Sequence, residues 1–268
     1  MRSFDTLGKK KVVIGLIHLK PMPGTPHFQE GDFERSMEKA VNDARALYEG
    51  GADGCLIQTV DKVYPAKDEA DYTRVAGMAA ITHAVTQVVG PEFQIGVQIM
   101  WNALSASVAI AKVCGGSFIR CTALVGTTTS QFGMVESNPY AFLNYRRSIG
   151  AENVKLVAEI EGMHFNWFGA PKPVAEIARS AATVGAHAVE VAIADEETSN
   201  RRVCEIKNAV PDLPVILGGY TNHENAARRL RDADGAFVGS CLERGKWGSE
   251  VDIDKVRAYV DIVRKLEN

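Results

Sequence analysis

Polar side chains close one apolar run after another along this chain. His18 follows VVIGLI, Gln58 follows CLI, and Gln98 ends QIGVQ with Asn102 just beyond it. Arg120 sits in FIRC, Glu159 and Glu161 in LVAEIE, and Glu190 in AVEV. Such groups are costly to bury unless they are paired or put to use, which makes them the candidates for chemistry. His18 has the residue type for general acid–base work or metal ligation; a histidine bonded to loop backbone is the plain alternative. Arg120 can clamp an anion or hold a carboxylate ionised, and Glu159 on the next strand is its expected partner. A purely structural ion pair is the competing reading. The catalytic candidates are His18, Glu159, His164 and Arg120, and the substrate-binding candidates are Gln58, Gln98, Asn102, Gln131 and Glu190.

Side chains alternate along a strand, so Glu159 and Glu161 are expected on one face. With His164 they offer ligands to a divalent metal, but the spacing matches no established metal motif. No metal and no other cofactor is assigned. Lys155 lies at the wrong end of its strand and no other lysine ends one, which disfavours Schiff-base chemistry.

A second kind of signal is glycine. PVILGGYTNHENAARRLRDADGAFVGS, Pro214 to Ser240, reads as strand, glycine pair, helix, strand and glycine-serine, with Thr221 or Asn222 as helix cap. Glycines after strands let a ligand approach the backbone and leave N–H groups free. Gly218, Gly219, Gly239 and Ser240 are therefore the expected phosphate site. Tight turns alone would also account for them.

Positioning these residues takes a regular frame. Strands are predicted over Val12–Ile17, Asp53–Val60, Phe93–Met100, Ser117–Ala123, Val154–Ile160, Ala186–Ala192, Pro214–Leu217 and Ala236–Val238. Helices are predicted between them, with Asn138 capping Pro139–Ile149, and Asp252–Leu266 closing the chain. The alternation implies a parallel sheet, and eight βα units in about 250 residues imply a closed (β/α)8 barrel with its site at the strand C-termini. No linker interrupts residues 1–268, so one barrel domain is expected. An open doubly wound sheet is the runner-up, but no GxGxxG follows the first strand.

The loop Leu124–Asn138, with Gln131 in GTTTSQFG, reads as a lid or a solvated loop. Trp101 and Trp167 at the rim suit either ring stacking or packing. His27, His83, His187 and His223 end no strand and receive no role.

A net charge of −3 offers no footprint for nucleic acid. No apolar run reaches the roughly 18 residues of a membrane span. The first ten residues lack a secretory core, and the five cysteines show no CxxC spacing, so a reducing cytoplasm is expected. KPMPGTPHF and Trp167-Phe168 are candidates for a contact in a homo-oligomer.

VIGLIHLKPMPGTP, FIRCTALVG, SQFG and DGAFVGS with VDIDKV together resemble the BtpA family, over Val12 to Tyr259. The resemblance implies a TIM barrel related to the ribulose-phosphate-binding barrels. It also implies a role in photosystem I biogenesis, with peripheral membrane association, in photosynthetic members. His18, Asn102, Arg120, Gln131, Gly133 and His164 match the family pattern. Met100-Trp101-Asn102-Ala103 stands where members carry leucine-arginine-asparagine-aspartate, and Met163-His164 where they carry lysine-histidine. Ala194 to Thr198 replaces a threonine-glycine repeat, and Gly218-Gly219-Tyr220 replaces glycine-serine-glycine.

The expected function is an enzyme acting on a small phosphorylated metabolite, a sugar phosphate or nucleotide fragment, by isomerisation, epimerisation or hydrolysis. The alternatives are a non-catalytic factor for a membrane complex and a metabolite-binding regulatory barrel.

Overall fold

The structure is a computed structural model describing residues 2–267. In chain order it comprises β1 (Val12–His18), α1 (Asp32–Glu49), β2 (Gly54–Gln58), α2 (Tyr72–Thr86), β3 (Gln94–Gln98), α3 (Leu104–Cys114) and β4 (Phe118–Cys121). A hairpin of β5 (Thr127–Ser130) and β6 (Gly133–Glu136) precedes α4 (Pro139–Ser148), β7 (Lys155–Glu161), α5 (Val174–Thr183), β8 (Ala188–Val191) and α6 (Glu196–Ala209). The chain ends through β9 (Val215–Leu217), α7 (Ala226–Arg229), β10 (Gly235–Val238), a 3₁₀ turn over Ser240–Leu242 and α8 (Ile253–Arg264). The strands β1-β2-β3-β4-β7-β8-β9-β10 close into a parallel barrel, as expected.

Two apolar cores follow from the two faces of each strand. The larger lies between barrel and helices, and the smaller fills the lumen. The lumen core holds Val12 and Ile14 of β1, Leu56 of β2, Phe118 of β4, Val157 of β7, Ala188 of β8, Ile216 of β9 and Phe237 of β10. Phe4 packs beneath it, with its ring 5.3 Å from that of Phe118. Strand side chains repeat every two residues, so the next lumen layer is read by counting two onward. Leu56 leads to Gln58, Phe118 to Arg120, Val157 to Glu159, Ala188 to Glu190, Ile216 to Gly218 and Phe237 to Gly239. Thus one polar layer caps an apolar one at the C-terminal end of the barrel.

Side-chain caps start several helices, and Asn138 before α4 is the one expected from the sequence. Asp71, Asn138, Asp195 and Asp252 each accept a first-turn N–H, worth about 1 kcal/mol apiece.

Three expectations are corrected. The Leu124–Asn138 loop contains an antiparallel hairpin, because Thr128 and Val135 face inward together while their neighbours face solvent. The helix after the seventh barrel strand is the single turn α7, capped by neither Thr221 nor Asn222. Asn222 instead accepts from the N–H groups of Glu224 and Asn225, and the Thr221 hydroxyl takes the Tyr259 hydroxyl at 2.8 Å. Finally, Glu159 and Glu161 do not share a face. Pairing of β7 with β8 slips by one residue between them, since Glu159 faces Glu190 while Glu161 faces Val191. The bulge turns Glu161 outward to Arg202, 2.9 Å away.

Candidate functional site

Arg120 is the centre of the polar layer. It is fully buried, and its Nε lies 2.6 Å from Oε2 of Glu190 while its Nη2 reaches Oε1 of the same carboxylate. Nη2 also lies 3.4 Å from Glu159 Oε2 and 3.3 Å from Nδ1 of His164, and Nη1 is 3.5 Å from Gln58 Oε1. The guanidinium carbon sits 5.5 Å over the Phe237 ring. Burial works against the Arg120 charge, but Glu190 and Glu159 more than offset it and raise its pKa. Gly218 is glycine for this cluster's sake, because a Cβ there would lie 1.8 Å from Glu190 Oε1.

The two carboxylates are driven apart. Glu159 Oε1 accepts from the His164 N–H at 2.7 Å and the Phe165 N–H at 3.3 Å, and Oε2 lies 3.0 Å from His164 Nδ1. Burial alone would raise this carboxyl, yet His164, Arg120 and the N–H donors hold it down at about 2. Glu190 moves the other way. Burial pushes it up, and the Glu159 charge adds to the rise against the pull of Arg120. Glu159 is thus the ionised support of His164, and Glu190 the carboxyl easier to protonate.

His164 lies in the loop after β7, and that loop is braced by the hairpin. The Asn166 N–H donates to Thr128 Oγ1 at 2.9 Å and the Phe168 N–H to the Thr127 carbonyl at 2.9 Å. Trp101 meets the His164 ring at 5.1 Å, and Phe132 at the hairpin turn meets Trp101 at 5.5 Å.

His18 ends β1. Its Nδ1 is 3.4 Å from Oε1 of Glu243, and both side chains are buried. Trp247 covers the ring at 4.8 Å. His18 and His164 therefore have the same construction, a ring backed at Nδ1 by a buried carboxylate. Both line one cavity of about 620 Å³ at the barrel mouth, with Gln58, Arg120, Gly218, Gly219, Gly239 and Ser240. With Nδ1 backed by a carboxylate, each imidazole is suited to general acid–base work.

The glycine turns line the same cavity. Gly218 gives its N–H to Val191 and so belongs to the barrel. Among the described residues, no backbone carbonyl accepts from the N–H groups of Gly219, Tyr220, Gly239 or Ser240. Gly219 has φ +107°, a conformation that glycine takes freely.

Other predicted residues lie elsewhere. Glu159 and Glu190 sit behind Arg120 rather than on the cavity wall. Gln98 is buried, donating to Thr122 Oγ1 at 3.3 Å. Asn102 gives both ends of its amide to the Ala123 main chain, at 2.9 and 3.3 Å, which explains its burial without a ligand. Gln131 is exposed at the hairpin turn. With Glu161 turned to Arg202, the three proposed metal ligands do not assemble. Among the described residues no other group of three His, Cys, Asp or Glu side chains does so. Sequence reasoning missed Glu243 and Trp247, which follow the last strand in irregular backbone; the only signal was a carboxylate shortly after Gly239-Ser240.

Comparison with known proteins follows the same outline. The BtpA family pattern matches residues 9–265. A protein of Archaeoglobus fulgidus is 33% identical over 256 residues, covering 94% of this chain and 98% of its own. The photosystem I biogenesis protein BtpA of Synechocystis is 27% identical over 274 residues, covering 97% and 91%. Tryptophan synthase of Mycobacterium tuberculosis superposes with a TM-score of 0.63 at 16% identity, covering 96% of this chain and 94% of that one, which shows a shared TIM-barrel fold. The match across nearly the whole sequence gives the classification: this chain is a member of the BtpA family.

Proposed function

We propose that the barrel mouth binds a small phosphorylated metabolite and acts on it by proton transfer between two histidines. One observation carries the reading. Two histidines, each backed by a buried carboxylate, share a cavity with unengaged backbone N–H groups after two adjacent strands. The phosphate takes the N–H groups of Gly219, Gly239 and Ser240, since such turns favour anions. His18 and His164 face the reacting carbon or water, one as base and the other as acid. Arg120 offers its charge to a developing oxyanion and keeps Glu159 ionised behind His164. Isomerisation, epimerisation and hydrolysis all use these parts. A non-catalytic assembly role, which the Synechocystis relative's name suggests, gives the charged floor no task. Among the described residues no helix is long and apolar enough to cross a membrane.

Thermal-shift screening against sugar phosphates and their unphosphorylated counterparts tests the reading. Binding raises stability by mass action. Phosphorylated compounds are expected to raise Tm and their counterparts to leave it unchanged. No shift with any phosphorylated compound would sink the reading.

A further inference from the structure

The cavity carries an apolar rim that proton transfer on a sugar phosphate does not use. Trp247 is 58% exposed, Met163 50% and Tyr220 44%, and all three line the mouth. Single exposed apolar residues are ordinary, but a group of them around one charged floor marks a binding surface.

Trp247 is held in place. The Gly248 N–H donates to Glu243 Oε2 at 2.9 Å, and the Arg244 N–H to the Glu250 carbonyl at 2.8 Å. Gly245 donates to Ser249 Oγ at 3.0 Å, and Val251 donates to buried Asp43 at 2.9 Å. This segment therefore presents an indole that meets the His18 ring and keeps more than half of its surface open.

Tyr220 is the second sign. Its φ is +57°, uncommon for a bulky side chain. Its carbonyl accepts from Asn225 Nδ2 at 3.0 Å, which holds the turn. The ring is exposed, so packing within the fold does not call for it.

Tyr220 directly follows Gly219, and Trp247 follows Ser240 on the neighbouring loop. Ring surfaces and anion donors thus come from the same two loops. We propose that the ligand joins its phosphate to a planar aromatic ring, as a nucleoside 5′-monophosphate does. The ring stacks on Trp247 beside Tyr220, while Gly219 and Ser240 hold the phosphate. Gln58 and His18 on the floor face the sugar between them. This assignment rests on the phosphate reading above. A cavity of about 620 Å³ falls within the usual range for sites of this ligand size.

The full chain is titrated calorimetrically, and by tryptophan fluorescence, with ribose 5-phosphate and with the 5′-monophosphates of adenosine, guanosine, cytidine and uridine. At least one nucleotide is expected to bind about tenfold more tightly than ribose 5-phosphate and to quench the emission. Trp247→Leu is expected to remove that preference while ribose 5-phosphate still binds. Tyr220→Gly, whose backbone accepts the same φ without strain, is expected to reduce the preference and serves if the tryptophan variant does not fold. Ribose 5-phosphate binding as tightly as every nucleotide overturns the ring assignment and leaves the phosphate reading standing. A preference that survives both variants also overturns it. Binding of none of the five overturns both.

Discussion

Glu243 joins the two ends of the site, with Oε1 3.4 Å from His18 Nδ1 and Oε2 accepting the Gly248 N–H at 2.9 Å. One buried carboxylate therefore orients an imidazole and fixes the segment that carries Trp247. Glu243→Ala releases both. A hydrogen bond to a charged group is worth about 1.5–3 kcal/mol, and a loss in that range is expected in urea denaturation. The emission from Trp247, identified by difference against Trp247→Phe, is expected to become more accessible to acrylamide. Unchanged stability and accessibility would contradict the link.

Arg120 separates two buried carboxylates. Removing one partner of such a cluster costs about 3–5 kcal/mol, because the remaining charges stay buried. Arg120→Met is expected to fall in that range, and adding Glu190→Gln is expected to restore part of the loss. A single-variant loss below about 1 kcal/mol, on the scale of an exposed ion pair, would show that the cluster is solvated.

Gly218→Ala places a methyl 1.8 Å from Glu190 Oε1. Overpacking of this kind costs about 1–3 kcal/mol. The variant is also expected to weaken sugar phosphate binding, because Glu190 must move away from Arg120. Wild-type stability and affinity in this variant would refute the contact.

Stability should fall on mild acidification through His187. Its Nδ1 accepts the Leu156 N–H at 3.1 Å, and burial first, then Lys155 and Arg146, lower its pKa to about 4. The unfolded chain takes up this proton near pH 6.5, before the folded one does. The contribution is therefore complete above pH 6.5 and is lost as pH falls toward 4. Glu159 adds a second loss only below about pH 4.5, since its folded value is depressed from there to about 2. Denaturation midpoints between pH 7 and pH 5 are expected to drop for the wild type and to stay flatter for His187→Gln. Equal slopes would assign the acid sensitivity elsewhere.

The barrel and the mouth residues were legible in the sequence, because alternating apolar runs and helices mark βα units, and polar residues or glycines close those runs. Which strand face is the lumen was not legible; it follows only once Phe118 and Ile216 are seen inside the barrel, two residues before Arg120 and Gly218. The β7 bulge was not legible, since it depends on two residues of one strand facing one of the next, and so Glu161 was misplaced. The Ala123 bonds of Asn102 were not legible either, because a buried amide serves a main chain as readily as a ligand. Thr127–Ser130 resembled loop because only Thr128 is buried. Glu243 and Trp247 lie in irregular backbone, where no period ties a residue to a face.

The most direct test of the central claim is a ¹⁵N–¹H titration of the full chain with ribose 5-phosphate. The amides of Gly219, Tyr220, Gly239 and Ser240 are expected to shift together and to saturate, and Ser240→Asp, which sets a carboxylate among them, is expected to abolish the response. Shifts confined to other residues, or none at saturating ligand, would contradict a phosphate site between the β9 and β10 loops.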